Sequence, residues 1–429
     1  FLNLLVGLTD TYLAGTVSKE ATAAIGLATQ VGWLVGLLFG FIGAGATALV
    51  SRYSGAGDAR TANHFSNQAI AAAAVMGLLA TGLVWTGAPW LPRVLRWEPG
   101  PAGIAIEYLR IDAWSYMFFS ITAIAAACWR GTGDTRTPLY IMALVNAVNI
   151  ALSAGLRFGW GGMPYLGVTG IAVGTMVARI LGGMLVLALL LHGRGHLRLI
   201  GVELRFRADS MTRLLRVGIP AGVDGSLLWA GQFLFLMIIS RLGTGELQAA
   251  NVAAHFVGIR VEALSYMPAF AWAVAASTMV GQSLGARDPA RALRSGHLAA
   301  MQGAAMCALM GVGYFVFARP IYAAFSSEAD FELVARVGVP ALRALAFFQI
   351  PLAFMIIYTN ALRGAGDTRH PLAYTVIGMS VRLMLGYLCG IVLQGGLLGA
   401  WVGMFADMTL RATLSFLRFS GGKWQRVRV

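Results

Sequence analysis

The sequence predicts an all-α membrane protein: twelve transmembrane helices in two parallel six-helix repeats, forming two lobes around a central cavity. Three observations carry that expectation. Of the 429 residues, 58% are hydrophobic and only 12% charged, with a mean hydropathy of +0.72; soluble domains carry roughly 25% charge. Apolar runs of helix length recur along the whole chain, and motifs of its first half return in the second. A soluble enzyme is excluded, and so is disorder, because the 54 glycines and 13 prolines sit among long apolar runs where hydrocarbon-embedded helices tolerate them.

Runs of roughly 18 or more apolar residues, bounded by charged or Gly/Pro-rich breaks, are the signature of membrane helices. They predict spans at 1–16, 23–52, 63–87, 104–130, 137–158, 165–192, 211–241, 250–283, 291–317, 335–363, 370–393 and 397–419. The opening FLNLLVGLTDTYLAG offers only about sixteen residues before the first polar loop, short of the roughly 20 a span needs, and reads as a truncated first helix with no signal-peptide cleavage pattern. Pro268, Pro340 and Pro351 fall inside spans, where a missing N–H predicts kinks or hinges. The longest polar connection, HGRGHLRLIGVELRFRADS at 192–210, is strongly basic and separates spans six and seven. It divides the chain into an N-lobe (1–192), a linker (193–210) and a C-lobe (211–429).

The halves repeat. Arg130 opens RGTGDTRTPLY and Arg363 opens RGAGDTRHPLA, an offset of 233; Asp58 matches Asp288 at 230 and Gly170 matches Gly399 at 229. Three matches in one order at nearly one offset indicate duplication. An even number of spans per half makes the repeats parallel, an arrangement used by secondary transporters that rock two lobes around a site.

Thirty-two Lys+Arg against 18 Asp+Glu give +14, a balance that in a soluble protein would raise the question of nucleic acid. Here about nineteen of the 32 basic residues fall in alternate short loops and the C-terminal tail, about seven in the other loops and about six inside spans. This asymmetry predicts a multi-pass protein of the cytoplasmic (inner) membrane with both termini cytoplasmic and no nucleic-acid partner. The basic set comprises Arg52 and Arg60, Arg130 and Arg136, the 192–216 segment, Arg287, Arg291 and Arg294, Arg363 and Arg369, and the tail with Arg418, Lys423, Arg426 and Arg428. Cys128, Cys307 and Cys389 lie far apart in apolar stretches and read as packing residues.

The RGxGDTR glycines supply left-handed helix caps, Asp134 and Asp367 are placed to cap the next helix, and Pro138 and Pro371 sit in its first turn. A phosphate-cradling loop would follow a strand and carry a Lys, and neither is present. Together with LTDTYLAG, SGAGDA, MVGQSLGARD and the tail GKW, these motifs resemble the multidrug and toxic compound extrusion (MATE) family over nearly the whole chain, and its DinF-like branch in particular. The resemblance implies an antiporter that expels amphipathic, mostly cationic compounds in exchange for protons, in preference to sodium, by alternating access, with membrane lipids around it, no cofactor, and no catalytic or resident metal site beyond a Na+ position. It also implies a monomer.

Ionisable groups inside spans cost about 2.5 kcal/mol or more each and persist mainly for function. Asp10, Asp112, Asp224, Glu262 and Asp407 are the acidic candidates. Asp10 is placed for an outward-opening cavity, where a carboxylate trades a proton for a cationic substrate, and the resemblance puts the family's first-helix acid there. Asn146 and Asn149 share a helix face; four residues on, where the family often carries an Asp, this chain has Ser153. Tyr108 and Thr175 match polar cavity positions of the family. A second candidate site comprises Asp224, Glu262, Arg260 and Arg382, in which Arg382 is a possible neutraliser of Asp224 or Glu262; Asp407 and Arg411, four apart, form a candidate structural pair. Met and Phe of spans seven to ten pack the lobe or line a plastic cavity.

The rival within transport is a lipid-linked sugar or lipid flippase, which would line its cavity with cations; Arg110, Arg179, Arg260, Arg343, Arg382 and Arg411 sit inside spans. A membrane-embedded enzyme finds no support. His64, His192, His196, His297 and His370 fall near loops, His255 is the histidine within a span, and HExxH, GxSxG and cysteine clusters are absent.

Overall fold

The computed structural model describes residues 2–193, 197–325 and 331–427. His196 and Arg428, assigned above to the linker and tail, lie outside them. The described chain is helical throughout: α1 (Leu2–Gly15), α2 (Lys19–Gly55), α3 (Ala59–Gly87), α4 (Trp90–Val94), α5 (Pro99–Ala113), α6 (Tyr116–Gly131), α7 (Arg136–Phe158), α8 (Gly167–His192), α9 (Ala208–Ile239), α10 (Glu246–Gly285), α11 (Pro289–Phe325), α12 (Phe331–Phe347), α13 (Gln349–Gly364), α14 (Arg369–Tyr387) and α15 (Gly396–Ser420).

Among the described residues, eight helices are long and apolar enough to cross a membrane, and two bent pairs, α5–α6 and α12–α13, raise the number to ten. The other two predicted spans correspond to α1, which has 14 residues, and α15, whose run carries Asp407, Arg411 and Arg418; neither is among those ten. The pairs bend by 52° and 54° at Trp114–Ser115 and Phe348. Ser115 and Phe348 are 233 residues apart, the repeat offset, so duplication preserved the bend. Of the prolines expected to kink spans, Pro351 is the third residue of α13, directly after the 54° bend, while Pro268 and Pro340 lie within α10 and α12, which continue through them. At the first bend the reason is polar closure, because Ser115 returns its N–H and its hydroxyl to the Asp112 carbonyl at 3.0 and 2.7 Å.

The chain forms two compact units, 1–218 and 219–429, with the boundary inside α9. In the first, α2 and α3 start on side-chain caps. Ser18 accepts from the Ala21 N–H at 3.1 Å and Asp58 from the Thr61 N–H at 2.9 Å. Asp288 caps α11 in the same way, accepting from the Arg291 N–H at 2.8 Å, so the repeated Asp58/Asp288 motif is a helix start. Asp134 behaves as expected and accepts from the N–H groups of Arg136 and Thr137. Asp367, expected to cap α14, instead holds two side chains: Arg418 at 2.9 Å and His370 at 2.7 Å.

The basic linker is not a free tether. Asn63, His64, Asn67 and Gln68, on the first turns of α3, zip it down. Asn63 accepts from the Arg198 N–H (2.7 Å), Asn67 bridges the Arg198 carbonyl and the Ile200 N–H (2.9 Å each), and Gln68 takes the carbonyls of Glu203 and Arg205 and the N–H of Arg207. His64 bonds Glu203 through one ring nitrogen and Ser210 through the other. Arg213 follows, donating to the Tyr53 hydroxyl at 2.6 Å and lying over the Phe65 ring. Linker and α9 start therefore pack as part of the first unit.

The second unit is built on α10, α11, α13 and α15 around Tyr314, Tyr322, Tyr358 and Trp401. Its GKW tail returns to the core: Trp424 is fully buried, stacks on Phe419 at 4.7 Å and donates to the Phe419 carbonyl.

Candidate functional site

In the first unit, α8 lies close against α7 because its contact face is glycine. A Cβ on Gly174 would meet the Ser153 backbone N at 2.6 Å, the close approach that small residues permit between membrane helices. This contact sets the polar groups of the two helices side by side. Asn149 donates to the Thr175 hydroxyl at 2.9 Å, and Thr175 donates onward to Asp10 Oδ2 on α1 at 3.3 Å. Asp10, Asn149 and Thr175 are buried. Tyr108 of α5 is buried beside Asp10 and Thr175. Four of the six predicted N-lobe residues thus form one cluster.

The other two stand apart from that chain of bonds. Ser153 is fully buried against α8, and its hydroxyl is taken by the Ile171 carbonyl at 3.4 Å. Asn146 is buried with its amide nitrogen lacking a partner. Among the described residues Asp10 Oδ1 and Asn149 Oδ1 also lack hydrogen-bond partners, which leaves one acceptor oxygen on each of the two residues bonded to Thr175. Asp10 has no arginine or lysine at ion-pair distance among the described residues.

Sequence reading missed the ion pair beneath this cluster. Arg179, one turn beyond Thr175, binds Asp112 at 2.6 Å and Ser115 at 3.2 Å, at the α5–α6 bend, and lies over Phe119 at 4.8 Å. The signal was the four-residue spacing of Thr175 and Arg179, which puts them on one face of α8. Arg157, not counted among the intramembrane arginines, is buried near the end of α7, where it donates to the Thr16 carbonyl at 3.1 Å and to the Tyr165 hydroxyl at 3.2 Å.

The second candidate site separates into pairs. Arg382 neutralises neither Asp224 nor Glu262 by direct contact: it lies on Asp407 at 2.7 Å and donates to Gln232 at 2.8 Å. Arg411 closes on the same carboxylate at 2.5 and 2.7 Å, the pair expected from spacing, and a Cβ on Gly378 would strike Asp407 Oδ1. Asp224 is taken by Arg363, a residue of the repeated RGxGDTR motif. Glu262 is buried with Oε1 unpartnered, in the field of Arg382, whereas Arg260 is exposed on another face of α10. His255 is a packing residue that accepts from Trp401 Nε1 at 3.2 Å. Among the described residues no group of three or more His, Cys, Asp or Glu is placed to hold a metal ion.

The MatE family profile matches residues 1–154 and 220–388. The chain is 32% identical to the probable multidrug resistance protein NorM of Thermotoga maritima, over 99% of this chain and 90% of that protein. It is 25% identical to the uncharacterized transporter YisQ of Bacillus subtilis, over 99% and 91%. Its fold is similar to that of a multidrug resistance MATE family transporter of the MOP superfamily solved in an outward-facing conformation, with a TM-score of 0.89 at 20% identity, covering 98% of this chain and 93% of that one. Duplicated motifs, all-helical architecture and full-length similarity together make this chain a multi-pass integral membrane transporter of the MATE family.

Proposed function

We propose that the protein is a secondary active multidrug efflux antiporter that exports amphipathic, mostly cationic compounds in exchange for protons, in preference to sodium, by alternating access of its two lobes. The carrying observation is Asp10, a buried carboxylate with one oxygen unpartnered among the described residues, held by the neutral Thr175 hydroxyl, which in turn accepts from Asn149, rather than by a cation. Such a group binds a proton or a cationic substrate but not both, because the second desolvated positive charge would meet no counter-charge. Competition for one charge couples the two fluxes. The similarity to a probable multidrug resistance protein supports the substrate class. The positive-inside reading of the basic loops supports insertion in the inner membrane with both termini cytoplasmic.

The flippase reading needs free cations facing a pyrophosphate, and Arg179, Arg382 and Arg411 are already bound to Asp112 and Asp407. Asp10→Asn in proteoliposomes tests the proposal, with pH and sodium gradients imposed separately. The nearly isosteric amide should leave the folded protein in the membrane and abolish gradient-driven efflux of a fluorescent cation. Wild-type efflux would move the coupling group to the second unit.

A further inference from the structure

The second unit carries a cleft of about 620 Å³ between α11 and α12, lined by Arg319, Arg336, Arg343, the carboxylate of Glu332 and the apolar Leu333, Ala335, Val339 and Pro340. Arg336 and Arg343 are seven apart on α12, so they share a face, and both are exposed. Among the described residues neither has a carboxylate at ion-pair distance; Arg319 has one, Glu332 at 2.7 Å. Among the described residues the cleft therefore offers two guanidinium groups without an ion-pair partner, beside the Arg319–Glu332 pair and above an apolar floor.

Its level in the membrane follows from helix length. Phe315 stands 26 residues after Pro289 on α11, about 39 Å along the axis at 1.5 Å per residue. A hydrocarbon core is about 30 Å thick, and Arg291, Arg294 and His297 hold the first turns at the opposite boundary. The Arg343 guanidinium lies over the Phe315 ring at 5.6 Å, so it sits at the headgroup boundary of the leaflet on the Phe325 side. Around it α11 exposes Leu309, Val312, Val316 and Phe317, apolar surface suited to acyl chains.

The first unit repeats the device. Arg110 lies over Trp85 at 4.8 Å, and Trp85 is 26 residues after Ala59, the start of α3. Arg110 and Arg343 are 233 residues apart and Trp85 and Phe315 are 230 apart, the offsets of the duplicated motifs. An arginine on an aromatic platform at one level in both repeats is a shared feature of the fold, not an isolated surface charge.

We propose that the α11–α12 cleft is a binding site for an anionic phospholipid, whose phosphodiester is held by Arg336 and Arg343 while an acyl chain lies over Val339 and Pro340. Arginine's planar fork matches phosphate oxygens, and the apolar floor distinguishes a lipid from a free anion. The test is native mass spectrometry of the whole protein in detergent, titrated with phosphatidylglycerol, with phosphatidylcholine, or with inorganic phosphate. Wild type should retain phosphatidylglycerol over phosphatidylcholine, and inorganic phosphate should not displace it. Arg336→Gln/Arg343→Gln should lose one retained phosphatidylglycerol, whereas the double Lys variant should keep most of it. Both side chains are exposed, so folding should survive; the single Arg343→Gln variant provides a second, milder reading with a several-fold weaker retention. Unchanged phosphatidylglycerol retention in the Gln variants, equal retention of phosphatidylcholine, or displacement by inorganic phosphate would each overturn the proposal.

Discussion

Asp407 offers the sharpest structural test. It is fully buried and carries both Arg382 and Arg411, whose side chains are 7% and 6% exposed. Asp407→Asn keeps the shape but removes the charge and replaces one acceptor oxygen with an N–H donor facing guanidinium donors. Two buried cations are then left with Glu262, in the field of Arg382, as the compensating acid. Removing one partner of a buried pair costs about 3–5 kcal/mol. At about 2–4 °C per kcal/mol for a unit of this size, the melting temperature of the detergent-purified protein should fall by roughly 10 °C. Adding Arg382→Met should recover part of the loss, since it removes one orphaned cation and fills the space, with a coupling of about 1–3 kcal/mol. An Asp407→Asn variant melting within about 2 °C of wild type would refute the structural assignment. If that variant also lost efflux, Asp407 would belong to the coupling chemistry.

Ser153→Asp should not create a second coupling acid. The new carboxylate would face the Ile171 carbonyl and the tight Gly174 contact, so expression and melting temperature should drop; a stable variant with a shifted pH profile of efflux would contradict this. Acid should loosen the linker. The Glu203 carboxylate is held below its ordinary value chiefly by the hydrogen bond from His64, so its contribution is present above the unfolded pKa of about 4.3 and lost as pH falls through the folded one. Hydrogen exchange of residues 198–207, corrected for intrinsic rates, should rise between pH 6 and pH 3, and unchanged protection would count against the latch. For topology, a cysteine replacing exposed Arg205 should react with impermeant reagents only after cells are opened, and one replacing exposed Glu98 should react from outside.

The sequence made the architecture legible because hydrophobic run length and the RGxGDTR duplication are local signals. It made the Asp10 cluster legible in part: Asn149 stands out as a polar residue in an apolar span and Thr175 as a match to a family cavity position, and in the fold Thr175 bonds Asp10 while Asn149 bonds Thr175. Partner assignments were not legible. Arg363, read as a loop-orienting charge, binds Asp224 across 139 residues of chain, and Arg382 binds Asp407 rather than Asp224 or Glu262. Pairings of that kind depend on helix rotation and crossing, which periodicity does not encode. The α5–α6 bend was invisible for the opposite reason: it carries no proline, and a serine closes it. The linker ladder had a readable trace in Asn63, Asn67 and Gln68, three polar residues on the first turns of a predicted span.

The two repeats share their frame but not their charges, and the difference bears on which acid the proposed coupling would use. Bends at Ser115 and Phe348, caps at Asp58 and Asp288, and helix starts at Arg136 and Arg369 all recur at offsets of 230–233. Counting 233 from Asn149 on α7 leads to Arg382 on α14. In the second unit that position holds a cation already committed to Asp407; in the first it holds a neutral amide that orients Thr175 toward Asp10. A carboxylate clamped by arginine cannot release its counter-charge to a passing cation without orphaning a buried guanidinium, at a cost of several kcal/mol. Asp10 carries no such penalty, because its bonded neighbours are uncharged. Under the proposed coupling, divergence at this pair of positions leaves Asp10 without a clamping cation while Asp407 stays committed to Arg382 and Arg411, so the coupling test belongs first at Asp10, with Glu262, whose Oε1 is also unpartnered among the described residues, as the comparison in the second unit.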